Sequence, residues 1–305
     1  MAALNLVRNN FYRIIIFVVI IVLFFVPVPT NNLWWREAGN SSHTILFFIL
    51  SFLLYQLISS LRSGTNQAVD YFIVLALGLA LGALIEILQS FTQREASLND
   101  VYRDLSGIVA SLCFIAIINL KDVNRQKLKL VLYLSTGITF ILIGLMPIFQ
   151  LSWHYMERDK AFPVIVDLDT DWSSSFIRFN NAELIESPGT NKEKKDGLSL
   201  IRFGRGGYPG ISVIEPVSDW TSYHKLHIKI YSMYERNINL VLRVHDKEHN
   251  QDYADRFNKR LPVKPGLNDF EIALLDIRNG PVDRLLDLKN IAGLILFSSE
   301  QQDEL

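Results

Sequence analysis

Five apolar runs in the first half of the chain constrain its fold more than any other feature: Ile14 to Val26, Thr44 to Ile58, Tyr71 to Leu88, Val101 to Leu120 and Leu128 to Phe149. Each approaches the roughly 20 residues with which a helix crosses the hydrocarbon of a bilayer. A backbone in that medium must satisfy its own hydrogen bonds, and a continuous apolar run does so as a helix. An all-α bundle of about five transmembrane spans is therefore expected over residues 1–152. Arg8 and Arg13 precede the first run as they would in a signal peptide, but Val-Pro-Val-Pro-Thr follows it in place of a small-x-small cleavage site. That run is expected to remain as an anchor.

Basic residues orient such a bundle. In an alternating five-span arrangement Arg8, Arg13, Arg62, Lys121, Arg125, Lys127 and Lys129 fall on one side, against Arg36, Arg94 and Arg103 on the other. The first side is expected to be cytoplasmic. The amino terminus then lies inside, while the Arg94 connection and everything after about Ser152 lie outside. The formal charge of -1 over 305 residues hides this asymmetry.

Polar residues interrupt the runs where lipid-facing ones would be expected. Glu86 and Gln89 share a helix face, and Asp100, Arg103, Asp104 and Gly107 recur at the three-four-three rhythm that selects one face of the next helix. A short connection from Ser90 to Asn99 makes the two helices antiparallel neighbours, so Arg94 can reach Glu86, Asp100 or Asp104. Ionisable residues at membrane depth are costly, and usually have a partner or a function. For Glu86 both a structural lock and a functional site stay open. Ser97 and Asp100 also match a helix-capping pattern. Gly78 and Gly82, spaced for close helix approach, are expected to pack within the bundle.

The segment Glu86-Ile-Leu-Gln89, with Arg94-Glu-Ala-Ser97-Leu-Asn-Asp100 and Gly107 after it, resembles the signature of the VanZ-like membrane proteins. His43, in Asn40-Ser-Ser-His43, stands where that family carries the histidine of an Asp-Lys-x-x-His element, and Asp104 stands where it tends to carry Asn. The resemblance covers residues ~10–120. It implies a membrane polar cluster of His43, Glu86, Gln89, Arg94, Ser97, Asp100 and Asp104, and a link to glycopeptide-antibiotic resistance.

Beyond residues 153–161, read as a linker, the pattern changes to alternation. Leu226, Ile228 and Ile230 alternate with His227, Lys229 and Tyr231; Leu240, Leu242 and Val244 alternate with Val241, Arg243 and His245. Further strands are expected at Val164 to Leu168, Leu198 to Phe203, Gly210 to Ile214, Asp269 to Leu274 and Ile291 to Ser298, with Gly and Pro turns between them. Residues 162–305 are thus expected to form an all-β sandwich. Asp219-Trp220-Thr-Ser-Tyr223-His-Lys-Leu226 resembles the galactose-binding-like jelly rolls used as carbohydrate-binding modules.

One segment of this domain is dense in chemistry: Arg243, His245, Asp246, His249, Asp255, Arg256 and Asn258. With Tyr231, the first two are expected to line an open sheet face, where a guanidinium and an aromatic ring suit sugars or acidic glycans. A loop held by salt bridges is the alternative. The histidine spacing matches no zinc pattern, so no metal is expected, although a loop calcium site stays open. The only cysteine, Cys113, lies in a span, which leaves the outer domain without disulfides.

No basic cluster with interleaved aromatics points to nucleic acid, and no cofactor-binding motif is present. A nucleophile elbow, a phosphate loop and a catalytic triad are likewise missing. These readings favour a multi-pass protein of the bacterial cytoplasmic membrane, in contact with lipid, whose external sandwich binds a glycan or envelope polymer. Two other readings stay open. One is an intramembrane enzyme or transporter for a lipid-linked precursor, with Glu86, Arg94 and Asp100 as catalytic candidates; the other is an anchored adaptor that binds another protein.

Overall fold

The computed structural model describes residues 10–19, 32–62, 66–89, 98–185, 200–204 and 206–298. It divides into two compact units, Met1–Ser152 and Trp153–Leu305. The described residues hold seven α-helices where five were expected. Four are long and apolar enough to cross a membrane: α2 (Leu33–Leu61), α3 (Gln67–Gln89), α4 (Leu98–Ile118) and α5 (Lys127–Ala161). The first expected span appears as a shorter apolar helix, α1 (Asn10–Val19), and its remainder lies outside the described residues. The other two, α6 (Asp171–Phe176) and α7 (Leu274–Arg278), are short helices of the second unit.

Two helices outrun the apolar runs that announced them. Helix α2 begins eleven residues before Thr44 because Asn32 caps it, its side chain accepting the Trp35 amide at 2.9 Å. Helix α5 continues through 153–161, so the expected linker is helical. Its turns after Ser152 belong to the second unit, within which His154 Nδ1 meets Ser175 Oγ at 2.7 Å and the Arg158 guanidinium lies 4.7 Å from the Tyr155 ring and 4.9 Å from that of Phe176.

In the first unit α2, α3 and α4 pack around Phe47, Leu50, Val74, Ile108 and Ile115, all buried. Small residues set the spacing. A side chain at Gly107 would place its Cβ 2.2 Å from the Thr44 carbonyl oxygen, so only glycine lets α4 approach the α2 backbone this closely. At Gly78 it would lie 2.8 Å from Ile108 Cδ1, and at Gly82 2.6 Å from Asp104 Oδ2. Both glycines therefore face α4, inside the bundle.

The second unit is built of antiparallel strands. A five-stranded sheet runs in the order β1 (Ile177–Asn180), β4 (Gly210–Ile214), β9 (Ile291–Ser298), β6 (Ile238–Asp246), β7 (Phe257–Val263). A two-stranded sheet pairs β5 (Lys225–Ser232) with β8 (Gly266–Ala273), and a second pairs β2 (Ala182–Ile185) with β3 (Leu200–Phe203). Leu240, Leu242 and Val244 of β6 share one buried core with Leu226 of β5 and Ile272 of β8. The five-stranded sheet and the β5–β8 pair thus form the two layers expected of a sandwich. Val164 to Leu168, expected as a strand, follows Pro163 as irregular chain whose Ile165 and Val166 still pack on the core.

Candidate functional site

The register of the five-stranded sheet decides which side chains meet on its outer face. Opposite residues in an antiparallel pair point to the same side. One row therefore runs Arg178, Ser212, Ile295, Arg243, Asn258 across all five strands, and the next runs Asn180, Gly210, Phe297, Val241, Arg260. A third joins Ile214, Gly293 and His245. The core residues Val213, Leu294, Leu242 and Val244 take the alternate positions, so these rows face away from the core.

Arginine and aromatic rings meet at the centre of this face. The Arg243 guanidinium carbon stands 4.9 Å from the Phe297 ring centroid, and its Nε donates to Asn258 Oδ1 at 3.2 Å. Tyr208 sets its ring edge-on to Phe297 at 5.7 Å while remaining 66 % exposed. Arg256, immediately before β7, lies 5.6 Å from the Tyr253 ring. The His245 imidazole lies over Gly293, where a Cβ would come within 2.6 Å of Cε1. Its ring centroid is 5.2 Å from that of His249. His245 Nδ1 and Arg256 Nε are buried and make no hydrogen bond among the described residues.

The electrostatics of this face are those of crowded cations. Burial, followed by the electrostatic influence of His249 and Arg243, holds His245 down at a pKa of about 4, so its ring is neutral near pH 7. Burial and the neighbouring Arg256 charge also lower the Arg243 pKa.

The carboxylates of the same segment are engaged elsewhere. Asp246, its side chain fully shielded, receives both terminal nitrogens of Arg284, at 2.6 and 2.8 Å, and the Asp287 amide at 2.8 Å. Arg284 Nε binds Asp255, which also accepts the Asn250 amide at 2.9 Å. Arg284, followed by that amide, holds the Asp255 carboxyl down at about 2. His249 Nδ1 lies 3.0 Å from the Asp255 carbonyl oxygen. Asp246, His249 and Asp255 therefore build the loop, while Arg243, His245 and Arg256 belong to the face. Arg284 escaped the sequence reading because it lies in an irregular segment with no alternation to mark it.

Tyr231 requires a correction. It belongs to β5, pairs with Leu267 of β8 and points outward from the other layer of the sandwich. Alternation assigns a residue to one side of its own strand and says nothing about which sheet that strand joins. The outer side of β5–β8 also differs in charge, since His227 binds Asp269 and Lys225 binds Glu271 across the strands.

In the first unit the polar residues converge from three helices. His43 Nδ1 of α2 meets Asp104 Oδ1 of α4 at 3.0 Å, both side chains being almost fully buried. Arg103 bridges Asp100 at 2.5 Å and Glu37 at 2.6 Å. Glu86 is buried one helical turn beyond Gly82, the glycine that faces Asp104. Glu37 lies between the first and second apolar runs and inside neither, which is why the sequence reading missed it. Arg94, Ser97 and the Gln89 side chain lie outside the described residues, as does the expected contact of Arg94 with Glu86. Among the described residues no group of three or more His, Cys, Asp or Glu is placed to hold a metal ion.

No family model matches the chain, and no curated protein matches it. Among solved structures the chain is similar to an agarase, AgWH50C, at 13 % identity and a TM-score of 0.31, over 41 % of this chain and 21 % of the agarase chain. It is also similar to a family 11 carbohydrate-binding module from Clostridium thermocellum in complex with a β-1,3-1,4-mixed-linked tetrasaccharide. That match has 16 % identity and a TM-score of 0.30, over 41 % of this chain and 75 % of the module.

Proposed function

We propose that this chain is a multi-pass protein of the bacterial cytoplasmic membrane that binds a glycan or envelope polymer on the outer face of its five-stranded sheet, with the sandwich outside the cell. The observation that carries the reading is the Arg243 guanidinium laid on Phe297 beside Arg256 Nε and His245 Nδ1, two buried polar atoms without a partner among the described residues. Stacked guanidinium and aromatic planes suit sugar rings, and an unpartnered donor suits their oxygens. Four membrane-length helices support the membrane assignment. The bias that groups Arg62, Lys121, Arg125, Lys127 and Lys129 on one side supports the orientation.

The test is a glycan-array screen of the full chain held in lipid nanodiscs. Binding is expected, with Arg243→Ala weakening it by about 1.5 to 3 kcal/mol, the range for a lost hydrogen bond to a charged group. An array without a bound glycan, or binding indifferent to Arg243→Ala in a folded protein, would overturn the reading.

A second reading is favoured by one observation in the bundle. The buried His43–Asp104 pair, with Glu86 nearby on α3, is the kind of ionisable group that marks an intramembrane site. It would serve an enzyme or transporter for a lipid-linked envelope precursor. The corresponding test is loss of an envelope phenotype in His43→Ala at unchanged protein abundance.

A further inference from the structure

We infer that the outer face of the five-stranded sheet selects anionic polysaccharides over neutral ones. This rests on the glycan-binding reading and adds the charge of the ligand to it. Every outward position of β1, β4, β9, β6 and β7 is known from the strand register, and none carries a carboxylate. Arg178, Arg243 and Arg260 all stand at those positions, and Arg256, extended and immediately before β7, precedes Asn258 by two residues, hence on the same side.

The nearby acids, Asp246 and Asp255, do not neutralise Arg243 or Arg256, because Arg284 occupies both. Among the described residues Arg243 has the neutral Asn258 amide and the Phe297 ring against it. Nε of Arg256 is buried without a partner among the described residues. A guanidinium answered only by neutral groups favours an oxyanion ligand, which it can meet through two parallel N–H donors. The opposite side of the sandwich provides the internal contrast, since Lys225 and His227 are paired there with Glu271 and Asp269. That side sets the acids Asp269 and Glu271 among its outward Lys225, His227 and Lys229, whereas the outward positions of the five-stranded sheet hold none.

Three soluble polymers, presented to the full chain in nanodiscs of zwitterionic phosphatidylcholine, separate charge from sugar. They are polygalacturonate, its fully methyl-esterified form and polyglutamate. Polygalacturonate should bind at least about tenfold more tightly than the methyl ester and weaken as salt rises, because screening acts on the charge component alone. Arg243→Gln and Arg256→Gln should each remove about tenfold of that affinity without lowering the melting temperature.

Equal binding of the charged and esterified polymers would overturn the anion selectivity and leave the glycan reading standing. Equal binding of polyglutamate and polygalacturonate would support the selectivity for charge and overturn the requirement for a sugar. Failure of all three polymers at low salt would overturn both.

Discussion

Arg284 holds Asp246 through both carboxylate oxygens, at 2.6 and 2.8 Å, and reaches Asp255 with its remaining nitrogen, Nε. One side chain from an irregular segment thereby fastens the end of β6 to the loop before β7. Removing it strands a carboxylate whose side chain is fully shielded. Arg284→Ala is expected to destabilise the protein by about 3 to 5 kcal/mol, the range for breaking one half of a buried pair. Chemical denaturation of the full chain measures this, following the signal of the β-rich unit. Arg284→Lys should recover only part of the loss, because an ammonium cannot reproduce the two-nitrogen contact.

Acid should weaken the same region in two stages. His245 takes up a proton near pH 6.5 when unfolded and near 4 when folded, so stability should fall as pH drops through that interval. Asp255, held at about 2, stabilises the fold above its ordinary value of 3.8, and that contribution disappears as pH falls from there toward 2. Denaturation midpoints across pH 3 to 8 test the sign. His245→Phe should flatten the limb between 6.5 and 4 and leave the lower one.

Neighbouring residues of β6 should respond in opposite ways. Leu242 is fully buried between the layers, and Leu242→Ala is expected to cost about 2 to 5 kcal/mol through the cavity it leaves. Arg243, one position away on the outer side, should change stability by less than about 1 kcal/mol when cut to Ala. Comparable losses at both positions would contradict the assignment of the two faces.

The alternation that separates Leu242 from Arg243 is legible in the sequence, and so are the bounds of β4 and β9, because apolar side chains there recur with the period of the pleat. Strand β7 was not legible. Its outward positions carry Asn258 and Arg260, and Pro262 gives no backbone donor, a combination tolerated because β7 lies at the sheet edge. Tyr231 was placed on the wrong face because periodicity is local, whereas partnership between strands is set by long-range packing. In the bundle, Asp104 was marked by its three-four spacing to Asp100 and Gly107. Its partnership with His43 joins residues 61 apart and no local pattern encodes it.

That partnership gives a prediction for the membrane unit. His43→Ala and Asp104→Ala should each destabilise the bundle, and the double variant should lose less than the sum. The expected coupling is about 0.5 to 3 kcal/mol in a denaturation assay of the purified protein. Additive losses would show that the 3.0 Å contact contributes no net energy.

Hydroxyl-radical footprinting of the full chain in nanodiscs, with and without saturating polygalacturonate, tests the assignment of the binding face most directly. Tyr208 and Tyr253 are exposed beside Phe297 and Arg256, whereas Tyr231 is exposed on the opposite layer. Bound polymer is expected to protect Tyr208 and Tyr253 and to leave the oxidation rate of Tyr231 unchanged. Protection of Tyr231, with Tyr208 and Tyr253 still reactive, would contradict the assignment.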